Sequence, residues 1–424
     1  MADRLVVVGG DAAGMSAAAQ ARRRRSASDL GIVVFERSPF TSYSACGIPY
    51  WIGGAVASRD ELIARGPEQH RANGLDVRTG CEVVRVDPDR RTVAVVEAET
   101  GRRYEEPFDQ LLLATGSTPV RPPIPGIDAP NVHGVQVLDD GVALRAELDD
   151  EAVRRVVVVG GGYIGLEIAE AVKQRGLDVT VIDRSPTPVG MFDEDIGTWI
   201  ADAVRGLGIG LLLERPVAEI ETRGGRATGV RTEDGTSIPA DAVVLGLGVR
   251  PNVDLARQAG LPIGTSGGMV VDQRMHTPVD GVWAAGDCVE SLHRLSGQRV
   301  VVALGTHANK QGRVAGINLS GGYATFPGVI GTAVTKVCDL EVARTGLSER
   351  EARGAGYEFV TAVIDSTTRA SYFPDSRPIR VKMIAERRSG RLLGAQIVGR
   401  EGAAKRVDVL ATAIWNGMAV DEIL

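Results

Sequence analysis

Two glycine-rich segments, each followed at a set distance by an acid, are the first residues in this sequence with chemistry to offer. The fuller one is Gly160-Gly161-Gly162-Tyr163-Ile164-Gly165, a GxGxxG pattern between a β-branched run at 156–159 and a helical stretch to 175. Its first glycine makes a tight turn, the second lets backbone approach a pyrophosphate, and the third lets helix pack closely on strand. Unpaired N–H groups and the helix dipole at that turn favour an anion. A second strand, 179–182, ends in Asp183, 18 residues past the last glycine, where a carboxylate accepts from a ribose 2′-hydroxyl. That acid favours NADH, while Arg184 beside it suits a 2′-phosphate and keeps NADPH open.

The pattern also stands at the start of the chain. A strand at 5–8 leads into Gly9-Gly10-Asp11-Ala12-Ala13-Gly14, an Ala-rich helix covers 15–25, and a strand at 32–35 ends in Glu36. Asp11 occupies the place of the second glycine; a carboxylate facing a pyrophosphate repels it, so Asp11 is expected to turn away. A distant element supports the assignment. Thr277 and the run Val282-Trp283-Ala284-Ala285-Gly286-Asp287 put an acid at a strand end, as flavoproteins do to hold the ribityl and pyrophosphate part of FAD.

The elements that must position these residues are strand, glycine turn, helix, strand and acid, twice over, which implies two nucleotide domains of similar build. The reading is an α/β protein with two Rossmann-like domains, for FAD and for NAD(P), and a C-terminal α+β domain. Between the motifs, 83–86, 92–97 and 102–105 read as an antiparallel meander, and a Pro-rich connector covers 119–130. After Gly321-Gly322 the texture changes to longer alternating strands at 379–384 and 392–398 and a helix at 403–415. The expected domains are 1–118 with 243–322 for FAD, 119–242 for NAD(P)H, and 323–424.

Composition narrows the class further. The 424 residues suit two to three domains. Lys+Arg 48 against Asp+Glu 54, net −6, gives no basic field for nucleic acid or an anionic membrane. Gly 53 with only 4% aromatics suits many strand-to-helix turns and disfavours a sandwich or propeller. No apolar run approaches the roughly 18 residues of a membrane span, and no signal peptide is expected before the first strand. Cys46, Cys81, Cys288 and Cys338 are too dispersed for a disulfide framework or zinc site, and the five His show no ligand spacing, so no metal is expected. A cytoplasmic, reducing compartment is the expectation.

Cys46 lies in Ser42-Tyr43-Ser44-Ala45-Cys46-Gly47-Ile48-Pro49. With this stretch the chain resembles the pyridine nucleotide-disulfide oxidoreductases. Within them it is similar to the single-cysteine branch of CoA-disulfide reductases, CoA-persulfide reductases and NADH oxidases, with Tyr43 where that branch has Phe. The likeness continues through Ala114-Thr115-Gly116, Gly286-Asp287, Ala308-Asn309-Lys310-Gln311-Gly312-Arg313, and Arg406-Val407-Asp408-Val409-Leu410 in a dimerisation domain.

The resemblance implies a homodimer in which NAD(P)H passes hydride to FAD on one face and Cys46 meets the flavin on the other. Expected FAD contacts are Gly9, Gly14, Glu36, Arg37, Ser42, Ala114, Thr115, Gly116, Gly286 and Asp287. Those for NAD(P)H are Gly160, Gly162, Tyr163, Ile164, Gly165, Asp183, Arg184 and Gly248. The reactive species is a thiolate, and a nearby helix N-terminus lowers a thiol pKa. The next cysteine, Cys81, is 35 residues on, so one sulfur works as a mixed disulfide with a small thiol or as a sulfenic acid. CoA-type disulfide or persulfide is the leading acceptor, oxygen or peroxide the alternative, and a redox sensor or electron donor to a protein a third reading.

Arg22, in the run 22–25, and Ser42 are the expected substrate contacts, and Tyr372 the expected proton donor from across a dimer interface. Tyr372 lies in Thr368-Arg369-Ala370-Ser371-Tyr372-Phe373-Pro374, similar to the family's His-Ala-x-Tyr-Tyr-Pro. Cys81, Cys288 and Cys338 are expected to be packing residues. Two departures weigh against a CoA-specific site. Ala45 replaces the usual Asn, and the chain ends at Asp421-Glu422-Ile423-Leu424, before the family's Tyr-Ala-Pro-Pro segment.

Overall fold

The structure is a computed structural model and describes residues 3–423; Met1, Ala2 and Leu424 lie outside the described residues. Short β-branched runs, buried on both faces, form parallel sheets. The first sheet has the strand order Val282–Ala284, Gln110–Leu113, Asp3–Val8, Leu30–Glu36, Asp76–Thr79, every neighbour parallel. The second repeats that plan with Gly210–Leu212, Asp178–Ile182, Arg155–Val159, Ala242–Leu245 and Val132–Gly134. In each, the strand before the glycine turn is central, so the turn opens at the point where strand order reverses, the usual place for a ligand in such sheets.

The strand Ala242–Leu245 corrects one expected boundary. It pairs with Arg155–Val159 in the second sheet, so it belongs with the second glycine turn and not, as the expected boundary at 243 has it, with the first. Buried apolar strands of two parallel sheets look alike in sequence, and only their pairing separates them. The chain crosses between domains where Ser117–Pro119 pairs antiparallel with Val249–Pro251. The meander at Cys81–Asp87, Thr92–Glu97 and Arg103–Pro107 is present. A matching one, Val217–Arg223, Arg226–Thr232 and Ser237–Pro239, sits in the other half.

The duplication reaches single residues. Ser42 and Val189 each stand six residues past the strand-end acid, and both have positive φ, 47° and 52°. Ser42 N–H donates to Gly10 O (3.2 Å) and Val189 N–H to Gly161 O (2.8 Å). Left-handed backbone is an outlier for a β-branched residue such as Val189, and the same glycine-turn hydrogen bond holds it there.

The last domain is an antiparallel sheet ordered Ala333–Val337, Leu340–Gly346, Leu392–Gly399, Pro378–Glu386, Phe359–Thr367, backed by the helix Val407–Asn416. Its Lys382, with a side chain only 3% exposed, reaches Asp193 (3.2 Å) and Asp195 (2.8 Å) of the second nucleotide domain and Glu349 (2.6 Å) of its own. Burial opposes the charge, but hydrogen bonds to these carboxylates outweigh it and hold the ammonium above its ordinary value.

The helix Gly305–Leu319 packs on the first helix, Ala12–Arg24, through small residues. A Cβ on Gly312 would collide with Ala13 O, and one on Gly316 with Ala17 O. That contact holds the turn at Gly286 against the first glycine turn: Gln311 Oε1 accepts from Gly286 N–H (2.8 Å), and Gln311 Nε2 donates to Ser291 Oγ (2.8 Å). Gly312→Val forces backbone apart and is expected to destabilise by about 3 kcal/mol. Thermal melting together with the flavin content of purified protein checks this; unchanged values of both would contradict it.

Candidate active site

The two glycine turns use their acids in the same way. Glu36 accepts from Gly10 N–H (2.7 Å) and Ser38 N–H (2.8 Å); Asp183 accepts from Gly161 N–H (2.5 Å) and Ser185 N–H (2.7 Å). Each carboxylate thereby clamps the turn to its own strand end and keeps further lone pairs, which suit ribose hydroxyls. A Cβ on Gly14 or Gly165 would strike the carbonyl of Gly9 or Gly160, so these two glycines serve helix-on-strand packing.

One cavity of about 1740 Å³ joins the halves. It exceeds the roughly 300–1,000 Å³ of a single small-molecule pocket, which leaves room for more than one ligand. Gly9, Glu36, Arg37, Ala114, Thr115, Gly116, Gly286 and Asp287 line it from the first domain, and Gly162, Tyr163, Ile164 and Gly248 from the second. Gly116 and Gly248 have positive φ, and a Cβ on either meets open space. Asp183, Arg184 and Ser42 are not among the lining residues. Asp183 is set back in its turn, Arg184 is exposed, and Ser42 Oγ is hydrogen-bonded to the buried His70 Nε2 (3.0 Å).

Cys46 sits in the turn Ala45–Gly47, ahead of the short helix Ile48–Ile52, with its side chain open to the cavity. The expected depression of its pKa is not what the structure shows. Surrounding protein raises the thiol above its ordinary value, Glu167 and Asp287 raise it further, and a backbone hydrogen bond offsets only part. A single helical turn is too short for a strong dipole, and the nearest charges are anionic. All four cysteines are free; Cys81 and Cys288 are buried, and Cys338 half-buried.

One expected substrate contact, Arg22, and the expected proton donor, Tyr372, lie elsewhere. Arg22 does not line the cavity. Its guanidinium donates to Gly74 O (3.1 Å), Arg25 O (3.1 Å) and Leu30 O (2.8 Å), tying the helix end to the neighbouring strand. Carbonyls left bare at a helix C-terminus compete for such a cation. Tyr372 is 86% exposed in the turn between the last two strands of its sheet and is outside the cavity of its own chain.

Glu167 is a site residue that the sequence motifs do not single out, although it lines the cavity one helical turn after Tyr163. Burial raises its pKa, and Thr335 Oγ1 of the last domain donates to it (2.5 Å), lowering it in part. An acid at i+4 from Tyr163, on the same face of the helix as that glycine-turn residue, is the signal that could have found it.

Two family models cover most of the chain: residues 3–312 match the pyridine nucleotide-disulphide oxidoreductase family, and residues 332–424 match that family's dimerisation domain. The chain belongs to this family. Among its relatives is a CoA-dependent NAD(P)H sulfur oxidoreductase of Pyrococcus furiosus, 38% identical over 99% of this chain and 93% of that protein. An NADH oxidase of Methanocaldococcus jannaschii is 35% identical with the same coverage. A solved NAD-dependent persulfide reductase from A. fulgidus superposes with a TM-score of 0.95 at 37% identity, over 99% of this chain and 78% of that one.

Members of the family use FAD and NAD(P)H, and the site fits both. The cavity runs from Glu36 past Cys46 to Tyr163, whose buried hydroxyl has no protein partner, and the open glycines leave space along it. No helix among the described residues is long and apolar enough to cross a membrane, and no group of His, Cys, Asp and Glu among them suits a metal.

The raised thiol gives a direct expectation for flavin-free protein. Iodoacetamide alkylation of Cys46 should keep accelerating with pH beyond the ordinary thiol value of 9.0, because the thiolate forms late. A plateau reached below pH 8 would show a depressed pKa instead.

Proposed function

We propose that this oxidoreductase reduces a CoA-type disulfide or persulfide through Cys46, with NADH the preferred donor. The observation that carries the reading is one free, accessible cysteine in the cavity that both glycine turns share. FAD supplies two-electron chemistry when bound, accepting hydride from the nicotinamide and returning the electron pair to sulfur.

The protein's own part is set by the residues present. Cys46 thiolate attacks one sulfur of the acceptor; a Cys46–substrate disulfide forms, the original S–S bond breaks, and the first thiolate leaves. Two electrons then cleave the mixed disulfide, restoring Cys46 thiolate and releasing the second thiolate. Glu167, a carboxyl held up by burial beside Cys46, stores a proton for these thiolates. The turn 161–165 and Asp183 hold the pyridine nucleotide, and a 2′-phosphate beside the Asp183 carboxylate would be repelled.

Oxygen or peroxide, with Cys46 cycling through sulfenic acid, is the second reading. It gains support from Arg22, whose guanidinium is taken up by backbone carbonyls, and from Ala45 beside the sulfur. A cytoplasmic homodimer is part of the proposal. In support, the edge strand Phe359–Thr367 exposes Val360, Val363 and Ile364, and the next turn exposes Tyr372 and Phe373. Pairing through this face gives Tyr372 a route to the other subunit's cavity.

Strictly anaerobic oxidation of NADH and of NADPH, with CoA disulfide as sole acceptor, tests the reading. Turnover faster with NADH and lowered roughly a thousandfold or more in Cys46→Ser is expected. No turnover until air is admitted would overturn it and leave the oxidase.

A further inference from the structure

Asp11 is a carboxylic acid where the first phosphate-binding turn would ordinarily have glycine, and it does not turn away from the site. It lines the cavity at the start of the helix Ala12–Arg24. Its Oδ1 accepts from the backbone N–H of Tyr43 (3.2 Å), three residues before Cys46. One residue earlier on each side, Gly10 O accepts from Ser42 N–H (3.2 Å). The loop bearing the reactive thiol thus hangs from the phosphate turn by two adjacent hydrogen bonds. The second nucleotide half keeps the backbone bond, Val189 N–H to Gly161 O, and has Gly162 at the position of Asp11. The side-chain tether belongs to the half that carries Cys46.

We propose that Asp11 is a positioning residue that acts as a neutral carboxylic acid, one oxygen holding the Cys46 loop through Tyr43 N–H and the other donating its proton to the flavin pyrophosphate. A neutral acid removes the objection to a charge beside phosphate and supplies the donor that a glycine lacks. The surroundings support it. Burial, with Glu36 at the strand end and Asp287 across the turn, pushes this carboxyl up to about 7, while N–H groups of Tyr43 and Ala12 pull the other way. The Tyr43 phenol faces the same carboxylates, which with burial keep it protonated.

The sign is fixed by linkage. Where Asp11 is protonated, flavin binds without taking up a proton. Above about pH 7, binding must first protonate Asp11, so FAD affinity falls by up to about tenfold per pH unit.

The test measures FAD affinity of the full-length apoprotein by flavin fluorescence between about pH 6 and 9, and the iodoacetamide rate at Cys46 in the FAD-loaded protein. Asp11→Asn keeps the acceptor for Tyr43 N–H and a neutral donor. It should bind FAD with a much flatter pH profile and leave the Cys46 rate near wild type. Asp11→Ala keeps the turn but loses the tether, and should raise the Cys46 rate roughly fivefold, the scale of one hydrogen bond. An Asp11→Asn profile as steep as wild type, or a Cys46 rate unchanged in Asp11→Ala, overturns the proposal. Neither readout depends on which acceptor the enzyme reduces.

Discussion

The hydrogen bonds spent on the first glycine turn are the constraint that fixes the active site. Gly10 gives its N–H to Glu36 and its carbonyl to Ser42, and Asp11 takes Tyr43. Ala13 is backed by Gly286 and Gly312 at distances that exclude any side chain there. With those groups committed, the helix start faces the cavity and the Cys46 loop can lie only across it. The long helix Gly305–Leu319 does for this turn what packing does in any core: it allows no larger residue and so fixes one arrangement.

Duplication explains much of the rest. Both halves use a strand-end acid to clamp a glycine turn, and both place a left-handed residue six positions later to return the chain to that turn. Beyond that residue the two halves diverge. In the first half the chain proceeds from Ser42 to Cys46. In the second it proceeds from Val189 to Met191 and Asp193, which dock on the last domain through Arg344, Gln396 and Lys382. One copy of the loop presents the free Cys46 to the cavity, and the other anchors the nucleotide domain to the dimerisation domain. Glu167 lies between them, in the second half's helix and bonded to Thr335, so the placement of this buried carboxyl beside Cys46 depends on that docking.

Much of this is legible in the sequence because it is local. Glycine spacing, a β-branched strand and an acid at the next strand end lie within one short unit, and a Cβ at Gly14 or Gly165 has nowhere to go. Features set by pairing or by distant partners are not. The strand Ala242–Leu245 could join either sheet, and only its register with Arg155–Val159 decides. Arg22 looks available because four adjacent arginines say nothing about which carbonyls lie nearby. Cys46 has a helix after it that proves to be one turn long, and it sits among carboxylates contributed by two domains. Glu167 escapes notice because an acid on an amphipathic helix reads as solvated until the facing domain is in place.

The central claim is that a single sulfur at Cys46 carries the acceptor, and mass spectrometry of the intact oxidised holoenzyme tests it most directly. After anaerobic incubation with CoA disulfide in the absence of NADH, a CoA-mass adduct should sit on the Cys46 peptide and disappear on adding NADH. A single added oxygen on Cys46 after exposure to air, with no CoA adduct under any condition, would contradict the account and assign the sulfur to oxygen or peroxide chemistry.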